Sequence, residues 1–165
     1  MTFPGTFEWM TELQHRLMIF PARPPSEVEW EELLARLDLA PRAFQLASDD
    51  VGGNPRVVHV LASAFALENW FAIALKELQA GGMIPLGFGF IPAAGGTTAA
   101  REVLDGFSAL RARNFAALQR RGIDVWEWSA ATKEEGGRVT TFQAVSAVVE
   151  MDGRHLAVLR GDAAR

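Results

Sequence analysis

Three histidines, His15, His59 and His155, carry most of the chemical potential of this 165-residue chain, which has no cysteine and no tyrosine. Without cysteine there is no disulfide framework, no thiolate nucleophile and no Cys-ligated zinc or iron–sulfur centre. Met151 and His155 are four residues apart, so on a helix they stack on one side. Such a pair is a common way to hold a metal in a bundle, and a thioether suits soft ions rather than zinc. The plainer reading of His155 is a neutral imidazole with one buried hydrogen bond. Asp152 lies three residues before His155, and with Ser63 the two suggest an orienter, a general base and a nucleophile. A mid-helix serine lacks the strained elbow of serine hydrolases, however, and nothing nearby forms an oxyanion hole. Asp152 then reads as a surface or dimer-contact residue, or as a partner of Arg154.

His59 precedes Ser63 by one helical turn, which raises an alternative cation set of His59, His155 and Glu150 or Asp152. One turn is an axial offset of about 5.4 Å. Metal geometry tolerates errors of about 0.2 Å, so this set requires rearrangement. His59 is read as a polar residue on the first turn of its helix, and His15, beside Arg16, as solvent-exposed.

These side chains must be positioned by helices. Met10, Leu13, Leu17 and Phe20 follow helical spacing and stop at Pro21, Pro24 and Pro25. Ser26 and Glu29 form a capping box that opens a stripe of Trp30, Leu33, Leu34 and Leu37. Pro41 either kinks that helix or starts another. Asn54 and Pro55 mark the next start, and the helix runs to about Gln79, apolar on nearly every side and therefore central. Gly81 to Gly96 reads as a long loop, and its Gly87-Phe88-Gly89 lacks the context of a phosphate loop. From Thr98 to Arg121, Val103, Phe107, Leu110, Asn114 and Leu118 face inward while Arg111, Arg113, Arg120 and Arg121 keep the other side wet. Opposite Glu134 and Glu135 these arginines would form only weak surface pairs. Residues 123 to 138 are irregular, with Trp126 and Trp128 folded back on the body. Thr140 and Gln143 form a second capping box, and the last helix turns Val145, Val148, Met151 or Asp152 and His155 inward. Sustained β alternation is absent, so the expected class is all-α, an up-down four-helix bundle with an N-terminal helix.

Hydrophobic residues make up 49% and charged residues 22%, which suits one globular domain over 1–165, an arm to residue 25 and a bundle beyond it. Sixteen Lys+Arg against twenty Asp+Glu leave a formal charge of −4, which argues against a nucleic-acid partner. The first ten residues contain Glu8 and no Lys or Arg, unlike a secretory signal. The apolar run Val57 to Leu75 is interrupted by His59, Glu68 and Asn69, so no membrane span is expected and the location expected is cytoplasmic.

Val60-Leu61-Ala62-Ser63-Ala64-Phe65-Ala66-Leu67-Glu68, together with Gly137-Arg138-Val139-Thr140 and Met151-Asp152-Gly153-Arg154-His155-Leu156-Ala157, resembles the DinB-like (YfiT-like) superfamily of four-helix bundles. Phe107, Leu110, Arg111 and Arg113 are similar to that family's Phe-x-x-x-Arg stretch. The resemblance spans about two-thirds of the chain (residues 57 to 160). It implies a fold in which three histidines on these helices hold nickel or zinc. Here the three positions are Ser63, Met151 and His155, and a catalytic zinc site wants three protein ligands. The expectation is therefore a DinB-like bundle with a degenerate metal site and no resident metal. It would be a stress-associated binder of a small molecule or partner, and a homodimer, with the proline-rich arm available to wrap a second subunit. The alternative is a metal-dependent or His155-based thiol transferase or hydrolase.

Overall fold

The computed structural model describes residues 6–20, 22–49, 55–85, 100–121, 128–132 and 137–161, among which lie five helices and three short strands. The helices are α1 (Thr6–Ile19), α2 (Glu27–Asp49), α3 (Pro55–Ala80), α4 (Ala100–Arg121) and α5 (Thr141–Leu159). The strands are β1 (Met83–Ile84), β2 (Ser129–Thr132) and β3 (Arg138–Thr140). Asn54, Gly87-Phe88-Gly89, Trp126, Glu134 and Glu135 lie outside the described residues.

Both capping boxes form. The Glu29 N–H donates to Ser26 Oγ at 3.1 Å, and the Ser26 N–H donates back to Glu29 Oε1 at 3.0 Å. At the start of α5 the Gln143 N–H donates to Thr140 Oγ1 at 3.2 Å, and the Thr140 N–H donates to Gln143 Oε1 at 2.9 Å. Each box satisfies two of the donors that a helix start leaves open. Gly81 follows α3 with φ +66°, a backbone region that glycine occupies without a Cβ penalty, and so ends the helix. Phe20 and Arg23 contact their own chain: Gln143 Nε2 donates to the Phe20 carbonyl, and Arg23 pairs with Glu29 and sits 5.5 Å over the Phe142 ring.

Pro41 neither ends nor restarts α2, which runs unbroken through it. A proline inside a helix removes the hydrogen bond to the carbonyl four residues earlier, here that of Leu37. The destination of that carbonyl is a central fact of the site below.

α2 packs on α4 and α5, and α3 packs on the same two helices. The ring order is therefore α2–α4–α3–α5 rather than the sequential order of a simple up-and-down bundle. α1 lies outside this ring against α5, burying Leu13 and Leu17. α3 has the length and hydropathy of a membrane-crossing helix, and it carries Trp70, Phe71, Leu61 and Leu67 fully into the core.

The segments expected to be a loop after Gly81 and an irregular stretch before Arg138 contain a small sheet. β1 pairs parallel with β2, and β2 antiparallel with β3, with Ala130 opposite Val139. Ile84, Ala130 and Val139 turn one face of it into the core against α3. Strands of two to four residues carry no readable alternation, which is why sequence periodicity passes over them. The chain is mostly helical with this one addition.

Buried side chains form two apolar clusters. One gathers around Trp70, Phe71, Val145, Val148 and the sheet; the other gathers around Phe44, Leu61, Leu104 and Phe107. Along α4 the second cluster ends at Phe107 and the first resumes at Leu118. Along α5 the first ends at Met151, and the second takes up Leu156. What fills the gap is polar.

Candidate functional site: a buried ionic layer and a cationic cleft

Arg111 occupies the gap on α4 and is 1% exposed. It was expected on the solvated face with Arg113, Arg120 and Arg121. In fact it lies in register with Phe107, Asn114 and Leu118, spaced i, i+4, i+7 and i+11 on the inward face. Its guanidinium serves the three other helices of the ring. Nε donates to Glu68 Oε2 on α3 at 2.8 Å, Nη2 donates to Asp152 Oδ1 on α5 at 3.0 Å, and Nη1 donates to the Leu37 carbonyl on α2 at 3.0 Å. Its own helix contributes the Phe107 ring, 5.1 Å beneath the guanidinium carbon. Arg111 thus fills the acceptor that Pro41 leaves vacant, a task that suits the rigid five-donor fork of arginine.

Asp152 corrects a second expectation. It is neither at the surface nor paired with Arg154, which reaches instead across to Glu12 on α1. Asp152 is 4% exposed. Its Oδ2 lies 2.9 Å from Arg111 Nη2 but makes no directed hydrogen bond, so one lone-pair oxygen remains unsatisfied. Burial, opposed by Arg111 and reinforced by the Glu68 charge, pushes its pKa up to about 6. Glu68, fully buried, is completed by Asn114, whose Nδ2 donates to Glu68 Oε1 at 2.8 Å. Burial alone would lower the pKa of Arg111, but Asp152 and Glu68 hold it above the ordinary arginine value.

His155 lies one turn along α5 from Met151, and both are buried, at 4% and 1% exposure. Burial, with a small push from Arg154, lowers the imidazole to about 4, so the ring is neutral at physiological pH. Its Nδ1 has no hydrogen-bond partner. Ser63 is buried on α3. The structure does not assemble the Asp152–His155–Ser63 relay, because the hydrogen bond Asp152 makes is to Arg111. Nor does it assemble the alternative cation set. His59 is exposed on the first turns of α3, and exposed Glu150 pairs with Arg16 at 3.3 Å. His15 is exposed, as read from sequence. Among the described residues no group of three His, Asp or Glu side chains is placed to hold a metal ion. The donors at the three resemblance positions are a hydroxyl, a thioether and one imidazole, a set that does not fit nickel or zinc.

The ionic layer has an outlet. Asn114 also lines a cleft of about 550 Å³ between α3 and α4, floored by Leu75 and Leu118 and walled on one side by Trp128. Lys76 and Arg120 stand on its rim, and among the described residues neither has an acidic partner. Trp128 folds back on the body as expected. Its carbonyl accepts from the Thr141 N–H at 3.1 Å, which joins the strand entry to the start of α5. A cleft lined by two cations that have no acidic partner among the described residues, in a chain of net charge −4, is a local exception to the overall field.

Sequence reasoning weighed His155, Asp152 and Ser63 and passed over Arg111, Asn114 and Glu68 as a set. The available signal was polar residues at apolar stripe positions: Arg111 and Asn114 between Phe107 and Leu118, and Asp152 after Val145 and Val148. No protein-family model matches this chain, nor does any curated protein or solved structure.

Proposed function

We propose that this chain is a binding protein rather than a catalyst: a DinB-like bundle whose metal-ligand positions have become an ordinary packed interior. In this reading a small anion with a flat apolar body occupies the cleft between α3 and α4. The observation that carries the reading is the pairing of that cleft with the closed layer beside it. The buried charges Arg111, Glu68 and Asp152 are committed to one another, whereas among the described residues Lys76 and Arg120 have no acidic partner. Lys76 and Arg120 offer charge, Gln79 and Asn114 line the wall as amides, and Trp128 with Leu75 and Leu118 offers apolar contact. Ligand sites of this size are mostly apolar with a few placed polar groups. A carboxylate on an aromatic or short aliphatic body fits that description.

The test uses 1-naphthoate as probe and 1-naphthalenemethanol as its uncharged counterpart, with tryptophan fluorescence and calorimetry as readouts. The carboxylate is expected to bind about tenfold more tightly than the alcohol, and to lose about tenfold in the Lys76→Ala/Arg120→Ala double variant. Equal binding of the two probes, or indifference to the double variant, would sink the proposal.

The unpartnered Nδ1 of His155 favours a second reading, a His155-based thiol transferase or hydrolase. Its requirement is substrate access to a 4% exposed ring. A screen of thiol and ester substrates against the His155→Ala variant decides it, since equal turnover in variant and parent removes the role.

A further inference from the structure

We infer that two copies of this chain associate through the outward face of α2, packed antiparallel about a twofold axis level with Leu37. Val28, Leu39 and Leu46 are 63%, 63% and 61% exposed, and they are half of the large exposed hydrophobics among the described residues. At 100° per residue the three fall on one narrow stripe of α2, directly opposite the buried Trp30, Leu37, Ala40 and Phe44. Exposed Ala35 lies on the same stripe. An exposed leucine by itself is unremarkable, but an aligned row along one helix is a candidate contact face.

Its symmetry identifies the occupant. Val28 and Leu46 lie equally far before and after Leu37, and so do Ala35 and Leu39. An antiparallel second copy therefore sets Val28 on Leu46 and Ala35 on Leu39, each contact made twice, as a twofold interface requires. Glu31 and Arg42 stand on one flank of the stripe, at nearly equal distances either side of Leu37. The same pairing places Glu31 beside the second copy's Arg42, also twice. Both are exposed, and among the described residues neither has an ion partner in its own chain. Parallel packing would instead set Glu31 beside the second copy's Glu32, on the opposite flank of the stripe, and leave Arg42 without an acidic partner. One helix face is smaller than a standard interface, so the association is expected to be weak and reversible, on the order of micromolar.

Sedimentation equilibrium on the full chain tests this, with circular dichroism to confirm that each variant is folded. The parent is expected to dimerise, and Leu39→Glu to weaken the dimer at least about tenfold. Arg42→Glu should weaken it as well, because it sets two glutamates face to face. Adding Glu31→Arg to Arg42→Glu reverses both signs and should restore association. A parent that stays monomeric at about 100 µM would refute the interface. A dimer indifferent to Leu39→Glu would place the contact elsewhere on the surface. A charge swap that fails to recover association would refute the antiparallel register.

Discussion

Two residues three apart on α5 pull in opposite directions as pH changes. Asp152 titrates near 6 in the folded chain, above the ordinary carboxyl value of about 3.9. Folding therefore tightens its hold on a proton. Its contribution to stability is full below about pH 4 and is lost as pH rises through 6. His155 titrates near 4, below the ordinary imidazole value of about 6.5. Its contribution is full above 6.5 and is lost as pH falls through that range. Between pH 4 and 6 the two slopes oppose, so the parent should show little net dependence from this pair. Asp152→Asn unmasks the histidine, and the variant should lose about 3 kcal/mol relative to parent on acidification from pH 7 to 4. His155→Leu unmasks the aspartate and should gain a similar amount over the same interval. Urea melts across that range read both slopes, and parallel curves for all three proteins would contradict the assignment. The charged groups facing Asp152 are Arg111, Glu68 and Arg36, and the one acting on His155 is Arg154, so these variants leave the remaining ionic pairs in place.

At the level of elements, α2 and α4 are coupled through a single missing N–H. Pro41 strips the Leu37 carbonyl of its helical partner, and Arg111 replaces that partner from across the bundle. A lysine at 111 has one nitrogen for three acceptors on three helices, and Arg111→Lys should cost about 3 kcal/mol. Pro41→Ala restores the N–H to the orphaned carbonyl. In the Arg111→Lys background it should recover about 1 kcal/mol, while its effect in the parent is smaller, because Leu37 is already satisfied there. A thermodynamic double-variant cycle measures the difference, and strict additivity would show that the carbonyl is not the point of coupling. Helix starts were the most legible feature of this sequence, since both capping boxes are spelled by two residues at fixed spacing. The path through Pro41 could not be read, because the Leu37 carbonyl it frees is satisfied by a side chain 74 positions further along the sequence. The strands could not be read either: β1 is two residues long, and its partner β2 lies beyond α4.

Across the whole molecule, the sequence indicated which residues are interior more clearly than what they do there. Met151 and His155 face inward as their spacing demanded, yet Arg111 was assigned to the solvated face, and Asp152 was left between the inward stripe and the surface. A charge is expelled from the interior only when it lacks partners, and here each has partners on other helices that no local pattern reveals. The cleft was equally hidden, because its lining is drawn from α3, α4 and the approach to β2. The charged layer also divides the core into unequal parts. The larger part holds Trp70, Phe71 and the sheet, and the smaller holds Phe44, Leu61 and Phe107. Apolar burial per unit is what resists local opening, so amides near Phe44 and Phe107 should exchange with deuterium faster than those around Trp70 and Val148. Exchange at one common rate in both would show that the layer transmits rather than interrupts cooperativity. If the two rates differ, the guanidinium of Arg111 is a hinge pin: the end of the molecule beyond it can breathe while the end carrying the cleft beside Trp128 stays shut.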